Sequence, residues 1–247
     1  DADTISEINA ETLAVLREIA VCDDPRTLAR SAQGELWVTC HDADAIAVVN
    51  ENTGVVTATL PTGYGSAPLG VAITPDGQNA YVTLHGAGAL RRYATATRTQ
   101  TGQLALGPGP RAIAIAANAA RVLVTRFLSP VHHGEVWDVN PAGAMTLTRT
   151  IRIPKFGDDA NRDTTAAGRG VANQLAGIAI APIDAHAWIA ANKPNNERGP
   201  LITPAFDLDT DNTVRNLAVE IDPAGASDAE RFRRGIDLDN SDSASAL

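Results

Sequence analysis

None of the short patterns that announce nucleophilic, metalloprotease or phosphate-transfer chemistry occurs in these 247 residues: there is no G-x-S-x-G, no H-E-x-x-H and no phosphate-binding glycine loop. Gly168-Arg169-Gly170 has no following helix and reads as a flexible loop. Ser, His and Asp are all present, but no spacing among them favours a triad. A haem-attaching C-x-x-C-H is absent as well. No apolar run approaches the ~18 residues of a membrane span. The N-terminus has neither an initiator Met nor the basic, apolar and small-residue regions of a signal peptide, so the chain reads as a mature form or an excised piece. Lysine is nearly missing. Lys155 and Lys193 are the only two among 20 basic residues, a bias that points to a GC-rich bacterial genome more than to any function. Against those stand 29 acidic residues, for a net charge of −9. A negative surface repels phosphate backbones, which argues against a nucleic-acid partner.

What is present is a globular composition, 44% hydrophobic and 20% charged, in a chain long enough to bury a substantial core. It is also repetitive. Leu36-Trp37-Val38-Thr39, Ala80-Tyr81-Val82-Thr83 and Val122-Leu123-Val124-Thr125 are copies of one pattern, their threonines 44 and 42 residues apart. A weaker copy, Ala187-Trp188-Ile189-Ala190, follows after 65 residues. Each is preceded by another recurrent strand, beginning near Arg26, Leu69, Arg111 and Leu175. Pro75-Asp76-Gly77 is a turn by its chemistry: Pro presets φ, Asp bonds locally and Gly accepts positive φ. Asn52-Thr53-Gly54 serves the same purpose between two strands. Small apolar inner strands and a polar outer strand suit a sheet that narrows toward an axis, and four strands every ~42 residues is the period of a propeller blade. The 226–234 stretch has helical propensity, but its place in the repeat makes it a turn leading into an outer strand. The expected fold class is therefore all-β, a β-propeller of four-stranded antiparallel blades over 22–63, 64–107, 108–153 and 154–238. Residues 1–21 and 239–247 read as partial blades, and the whole as part of a ring of about seven. The fourth blade carries about 22 extra residues in two loops, 154–173 and 192–212, and loops of that length usually serve function or contact something outside the blade.

These repeats resemble the YVTN family of β-propellers. The resemblance rests on Ala80-Tyr81-Val82-Thr83 and its copies, on Gly109-Pro110-Arg111 with Ile113-Ala114, and on Pro75-Asp76-Gly77. The tail, with Asn212-Thr213-Val214-Arg215, Glu220-Ile221-Asp222 and Asp237-Leu238-Asp239-Asn240, resembles propellers joined to di-haem cytochrome c peroxidase-like domains in bacterial periplasms. The resemblance implies a fold rather than an activity, because this fold hosts many unrelated functions.

Four sets of residues could carry chemistry. Cys22 precedes an inner strand and Cys40 ends its antiparallel neighbour, so the two can meet in a disulfide, which would place the protein outside the cytoplasm; the competing reading is two free core thiols. His41 and His85 sit at equivalent repeat positions, and His132 and His133 fall in the matching loop of the next blade. Histidines converging from successive blades suit a transition metal, or a docking rim. Asp207, Asp209, Asp211 and Asn212 alternate oxygen donors like a calcium loop, with Ala218 where the bidentate Glu would stand and Glu220 the nearest acid. Asp237, Asp239 and Asp242 form a second, weaker calcium candidate. Arg26, Arg111, Arg126 and Arg169 could form a basic mouth for a carboxylate or a haem propionate; the competing role is bonding to loop carbonyls between blades.

The expected function is a non-enzymatic periplasmic or secreted propeller that binds or scaffolds a protein partner or a further domain at its loop face, as part of a larger haem-containing redox protein. The alternatives are a metal-dependent enzyme of lactonase-like or quinoprotein-like type, and a surface-layer or adhesion repeat module.

Overall fold

The computed structural model describes residues 3–155, 170–194 and 214–238. A hairpin of β1 (Thr4–Ile8) and β2 (Val15–Ala20) comes first. The first sheet is β3 (Pro25–Arg30), β4 (Glu35–Cys40), β5 (Ala45–Asn50) and β6 (Val56–Pro61). The second is β7 (Pro68–Ile73), β8 (Asn79–Leu84), β9 (Ala89–Ala94) and β10 (Thr99–Ala105). The third is β11 (Pro110–Ile115), β12 (Val122–Arg126), β13 (His133–Asn140) and β14 (Thr146–Pro154). The fourth is β15 (Asn173–Ile180), β16 (Ala187–Pro194), β17 (Val214–Ile221) and β18 (Phe232–Leu238). Each sheet is an antiparallel meander whose spatial order is its chain order. The first strands β3, β7, β11 and β15 are successive neighbours, so the sheets stand side by side with these strands innermost.

The stretch with helical propensity forms a single turn, α1 (Asp228–Arg231), capped by the Ser227 side chain and running directly into β18. The β1–β2 hairpin has the same turn as the outer pair β5–β6. Asn9 Oδ1 accepts from the amides of Glu11 and Thr12, as Asn50 Oδ1 does from Asn52 and Thr53. Leu13, at φ 57°, takes the place that Gly54 fills at φ 70°.

The core lies between the sheets. Trp37, Ile46 and Val48 of the first sheet meet Val71, Val82, Leu84 and Tyr93 of the second. The opposite face of the first sheet, with Val38, Ala47 and Val49, packs on Ile5 and Ile19 of the hairpin. Tyr81 and Leu90 meet Val122, Val124 and Trp137. Leu123, Val136, Ile151 and Ile153 meet Ile189, Leu217 and Val219. Because both faces of a middle strand are covered, β5 and β8 are buried at five of their six positions instead of alternating.

The repeated threonine has a specific task. The first three inner strands break register just after their opening proline, between Pro25 and Leu28, Pro68 and Val71, and Pro110 and Ile113. The break leaves one inner-strand amide without a ladder partner, and the threonine hydroxyl of the second strand accepts from it: Thr39 from Thr27, Thr83 from Gly70, Thr125 from Ala112. The same hydroxyl donates across to the next inner strand, to the carbonyls of Leu69 (2.6 Å), Arg111 (2.7 Å) and Leu175 (2.9 Å). All three threonines are fully buried. Close approach at this seam also explains Gly70, where a Cβ would come within 2.2 Å of the Arg111 carbonyl oxygen. Ala190 stands at the fourth position and has no hydroxyl to continue the series.

Candidate functional site at the axial mouth

Antiparallel alternation brings the starts of β3, β7, β11 and β15 and the ends of β4, β8, β12 and β16 to one face. The two insertions of the fourth sheet leave from and return to this face, between β14 and β15 and between β16 and β17. Two rings of repeat positions line it. Two residues beyond the repeat threonine stand His41, His85 and Phe127, with Asn192 in the fourth copy; one residue beyond the opening proline stand Arg26, Leu69 and Arg111.

The Cys22–Cys40 disulfide anchors the first quarter of this face, with a Cα–Cα distance of 5.8 Å. It ties the segment leading out of the β1–β2 hairpin to the end of β4, and the His41 amide bonds to the Asp24 carbonyl beside it. The Arg26 guanidinium pairs with Asp24 at 2.7 Å. His41 Nδ1 lies 2.6 Å from Asp42 Oδ1 and 3.3 Å from Asp24 Oδ2. Asp24, His41 and Asp42 thus offer one nitrogen and two oxygens within 4.8 Å of one another, a donor set that suits a divalent cation. Arg26 already occupies Asp24 and would compete with it.

The next two blades supply a different chemistry. The Arg111 guanidinium carbon lies over the Phe127 ring, 4.2 Å from its centroid. His85 meets the edge of the same ring at 5.9 Å, and its Nδ1 lies 3.3 Å from the Pro110 carbonyl oxygen. Among the described residues Arg111 has no carboxylate partner, and its buried Nε has no hydrogen bond. Burial lowers the pKa of Arg111 from the ordinary arginine value, and the charge of Arg26 adds to the effect. Burial likewise lowers His85; the Pro110 carbonyl pulls it back up in part, and the charges of Arg111 and His41 add to the lowering. These four side chains therefore form one electrostatic cluster.

The remaining candidates separate from it. Arg126 and His133 are both held by Glu135, at 2.7 and 2.9 Å. Burial pushes the Glu135 carboxyl up, but hydrogen bonds from Arg126 and His133 outweigh it and hold it below the usual glutamate range. Arg126 is thus spent on a structural pair, while His132 is exposed in the adjoining loop. Asp237 lies in β18 opposite Leu217. Arg169, Asp207, Asp209, Asp211, Asn212, Asp239 and Asp242 lie outside the described residues. Glu220, the acid nearest in sequence to the first calcium loop, sits toward the far end of β17, where it bonds His186 (2.7 Å) and Arg234 (2.6 Å). Asp184 completes that group on the opposite face.

The sequence motifs missed Phe127, Asn192, Asp24 and Asp42. Repeat arithmetic points to the first two, since they share the register of His41 and His85. The acids gave no such signal. A cavity of 680 Å³ between the hairpin and the first sheet is lined by Ile5, Ile8, Ile19, Leu28 and Leu36. Its charged side chains are already committed, Arg17 to Glu7 and Glu51 to Arg30, so it offers little free chemistry.

No family model matches the chain, and no curated protein does. Solved structures do. Hydrazine synthase from Kuenenia stuttgartiensis superimposes with a TM-score of 0.74 at 18% identity, over 97% of this chain and 61% of that one. The periplasmic gluconolactonase of Pseudomonas aeruginosa gives 0.60 at 15% identity, over 94% of this chain and 62% of that one. Virginiamycin B lyase from Staphylococcus aureus gives 0.55 at 15% identity, over 90% and 75%. The chain is a β-propeller. At these identities the likeness concerns fold alone, and this propeller spans about three fifths of the hydrazine synthase and gluconolactonase chains. In a propeller the face just described is one end of the central axis, so its two side-chain rings form an axial mouth.

Proposed function

We propose that this propeller is a non-enzymatic, extracytoplasmic binding module that docks a partner on its axial mouth. The observation that carries the reading is the Arg111 guanidinium, held against Phe127 at the mouth with no carboxylate partner among the described residues. A structural arginine is normally matched, as Arg26, Arg30 and Arg126 are here. Exposed Tyr64, Leu128 and Val131 stand in loops on the same face and supply apolar contact area around the cations. The disulfide supports an oxidising compartment, and no described helix is long and apolar enough to cross a membrane. The resemblance of the tail supports a haem-bearing redox domain as the partner.

A second reading, a metal-dependent lactonase-like enzyme, is favoured by the Asp24–His41–Asp42 donor set and by the likeness to a gluconolactonase. Those donors come from one blade and from the turns beside it, whereas the cationic cluster spans three. Two measurements test the docking reading. Turnover of γ- and δ-lactones with Mn²⁺, Zn²⁺ or Ca²⁺ added is expected to be absent. A photo-crosslinking residue in place of Tyr64 is expected to capture a discrete protein from a periplasmic extract, and one in place of Ile183, on the opposite face, is not. Turnover abolished by His41→Ala, or equal capture from both positions, overturns it.

A further inference from the structure

We infer that the axial mouth recognises a single carboxylate group, received by the guanidinium of Arg111 with Arg26 as the second cation. The inference rests on the docking reading above and names the chemistry of what docks.

Three observations converge. Arg111 is only partly exposed, its guanidinium has no hydrogen bond or ion pair among the described residues, and its Nε is buried without a partner. A desolvated guanidinium with no anion is costly, and a ligand that matches it recovers that cost. Geometry then selects the ligand's shape. The guanidinium carbon lies over the Phe127 ring, 4.2 Å from its centroid, which shields it from water on that side, and a guanidinium fork is matched by a flat, two-oxygen acceptor. His85 packs against the same Phe127 ring, its plane inclined by 66° and its centroid 5.9 Å away. Charge selects the ligand's valence. Asp24 matches Arg26, and Asp42 faces His41, so among the described residues Arg111 is the one unmatched guanidinium in this group. One unmatched charge, with two acids on the rim, suits a monoanion and disfavours a doubly charged phosphate.

A carboxylate could come from a free organic acid or from the C-terminus of a polypeptide, and the probes separate the two. Benzoate and N-acetylglycyl-phenylalanine are titrated into the full chain, with benzamide, the dipeptide amide and inorganic phosphate as controls. The readouts are the NMR signals of the His85 ring and the Arg111 Nε–H. Saturable shifts with the two carboxylates and none with the amides are expected. Tighter binding of the dipeptide assigns a chain terminus as the source, and tighter benzoate a small free acid. Arg111→Gln is expected to weaken the carboxylates by about tenfold or more, as for loss of a charge-assisted bond, and Arg26→Gln by less. Equal response to amide and acid, tighter binding of phosphate, or binding unchanged by Arg111→Gln overturns the inference. The amide controls need no variant, so they decide the matter even if Arg111→Gln does not fold. Crosslinking from position 64 that persists without carboxylate binding retains the docking face and rejects its chemistry. Loss of crosslinking with carboxylate binding intact does the reverse.

Discussion

Replacing Thr83 by Val isolates the stitch between blades. The two side chains have nearly the same volume, so no cavity opens in the fully buried site. What disappears is one hydroxyl that accepts from the Gly70 amide at 2.7 Å and donates to the Arg111 carbonyl at 2.7 Å. Water cannot replace it there, because a Cβ on Gly70 would already touch the Arg111 carbonyl. Each orphaned buried group costs about 1–3 kcal/mol, so Thr83→Val, which orphans two, should destabilise by about 2–6 kcal/mol. For a chain of this length a loss of about 3 kcal/mol lowers Tm by about 6–12 °C. Thr83→Ser keeps the hydroxyl and loses one methyl, for about 1 kcal/mol. Urea denaturation followed by circular dichroism measures both variants, and hydrogen exchange at the Gly70 amide reports the stitch directly. A stabilising role for the hydroxyl is refuted if Thr83→Val costs no more than Thr83→Ser, or if the Gly70 amide stays equally protected.

Two further perturbations act on the mouth itself. Removing the disulfide by Cys22→Ser with Cys40→Ser frees a loop whose ends are 18 residues apart, at a cost of about 3 kcal/mol by loop-closure entropy. A loss below about 1 kcal/mol, with unchanged hydrogen exchange in the β1–β2 hairpin, would show that packing of Ile5 and Ile19 alone holds that hairpin in place. Acidification tests His85, whose pKa the fold lowers by burial first and by Arg111 and His41 after it. The unfolded chain then takes up its proton at a higher pH than the folded one. This contribution to stability is therefore complete above the unfolded pKa near 6.5, falls as pH drops through that value, and levels off below the folded pKa. Its slope is a fraction of ~1.4 kcal/mol per pH unit, since the ring is partly exposed and solvent screens it. His85→Gln should flatten the change in denaturation midpoint between pH 8 and pH 5.5, and an unaltered slope would remove burial of His85 as its cause.

The same threonines show why the fold was legible in the sequence and the mouth only in part. A propeller core is made between copies of one unit, so the constraint that shapes Trp37 against Val82 returns as Tyr81 against Val124. Repetition prints that constraint several times in the chain, and a residue such as Thr83 stands out because Thr39 and Thr125 do the same thing. The mouth obeys the opposite logic. Its backbone positions repeat while its side chains differ from blade to blade, His41, His85, Phe127, Asn192, and a ligand site needs that asymmetry. Register alone finds such positions, but register cannot say that Arg126 is neutralised by Glu135 while Arg111 rests on Phe127 without an acid among the described residues. That distinction depends on a residue nine places along in one case and sixteen in the other. Asp24 and Asp42 were invisible for a related reason. They flank the cysteines and reach His41 only because the disulfide and the Asp24–His41 backbone bond fold the two segments together. The scaffold and the site are thus joined at two points: the Thr83 hydroxyl holds the backbone of Arg111, and the disulfide holds the backbone around His41. If the mouth binds through Arg111, Thr83→Val must weaken carboxylate binding as well as stability, while Thr39→Val, whose stitch ends on Leu69, must cost stability and leave that binding nearly intact. Equal losses of binding from the two variants would mean that the mouth responds to loosening of the ring as a whole rather than to the position of Arg111.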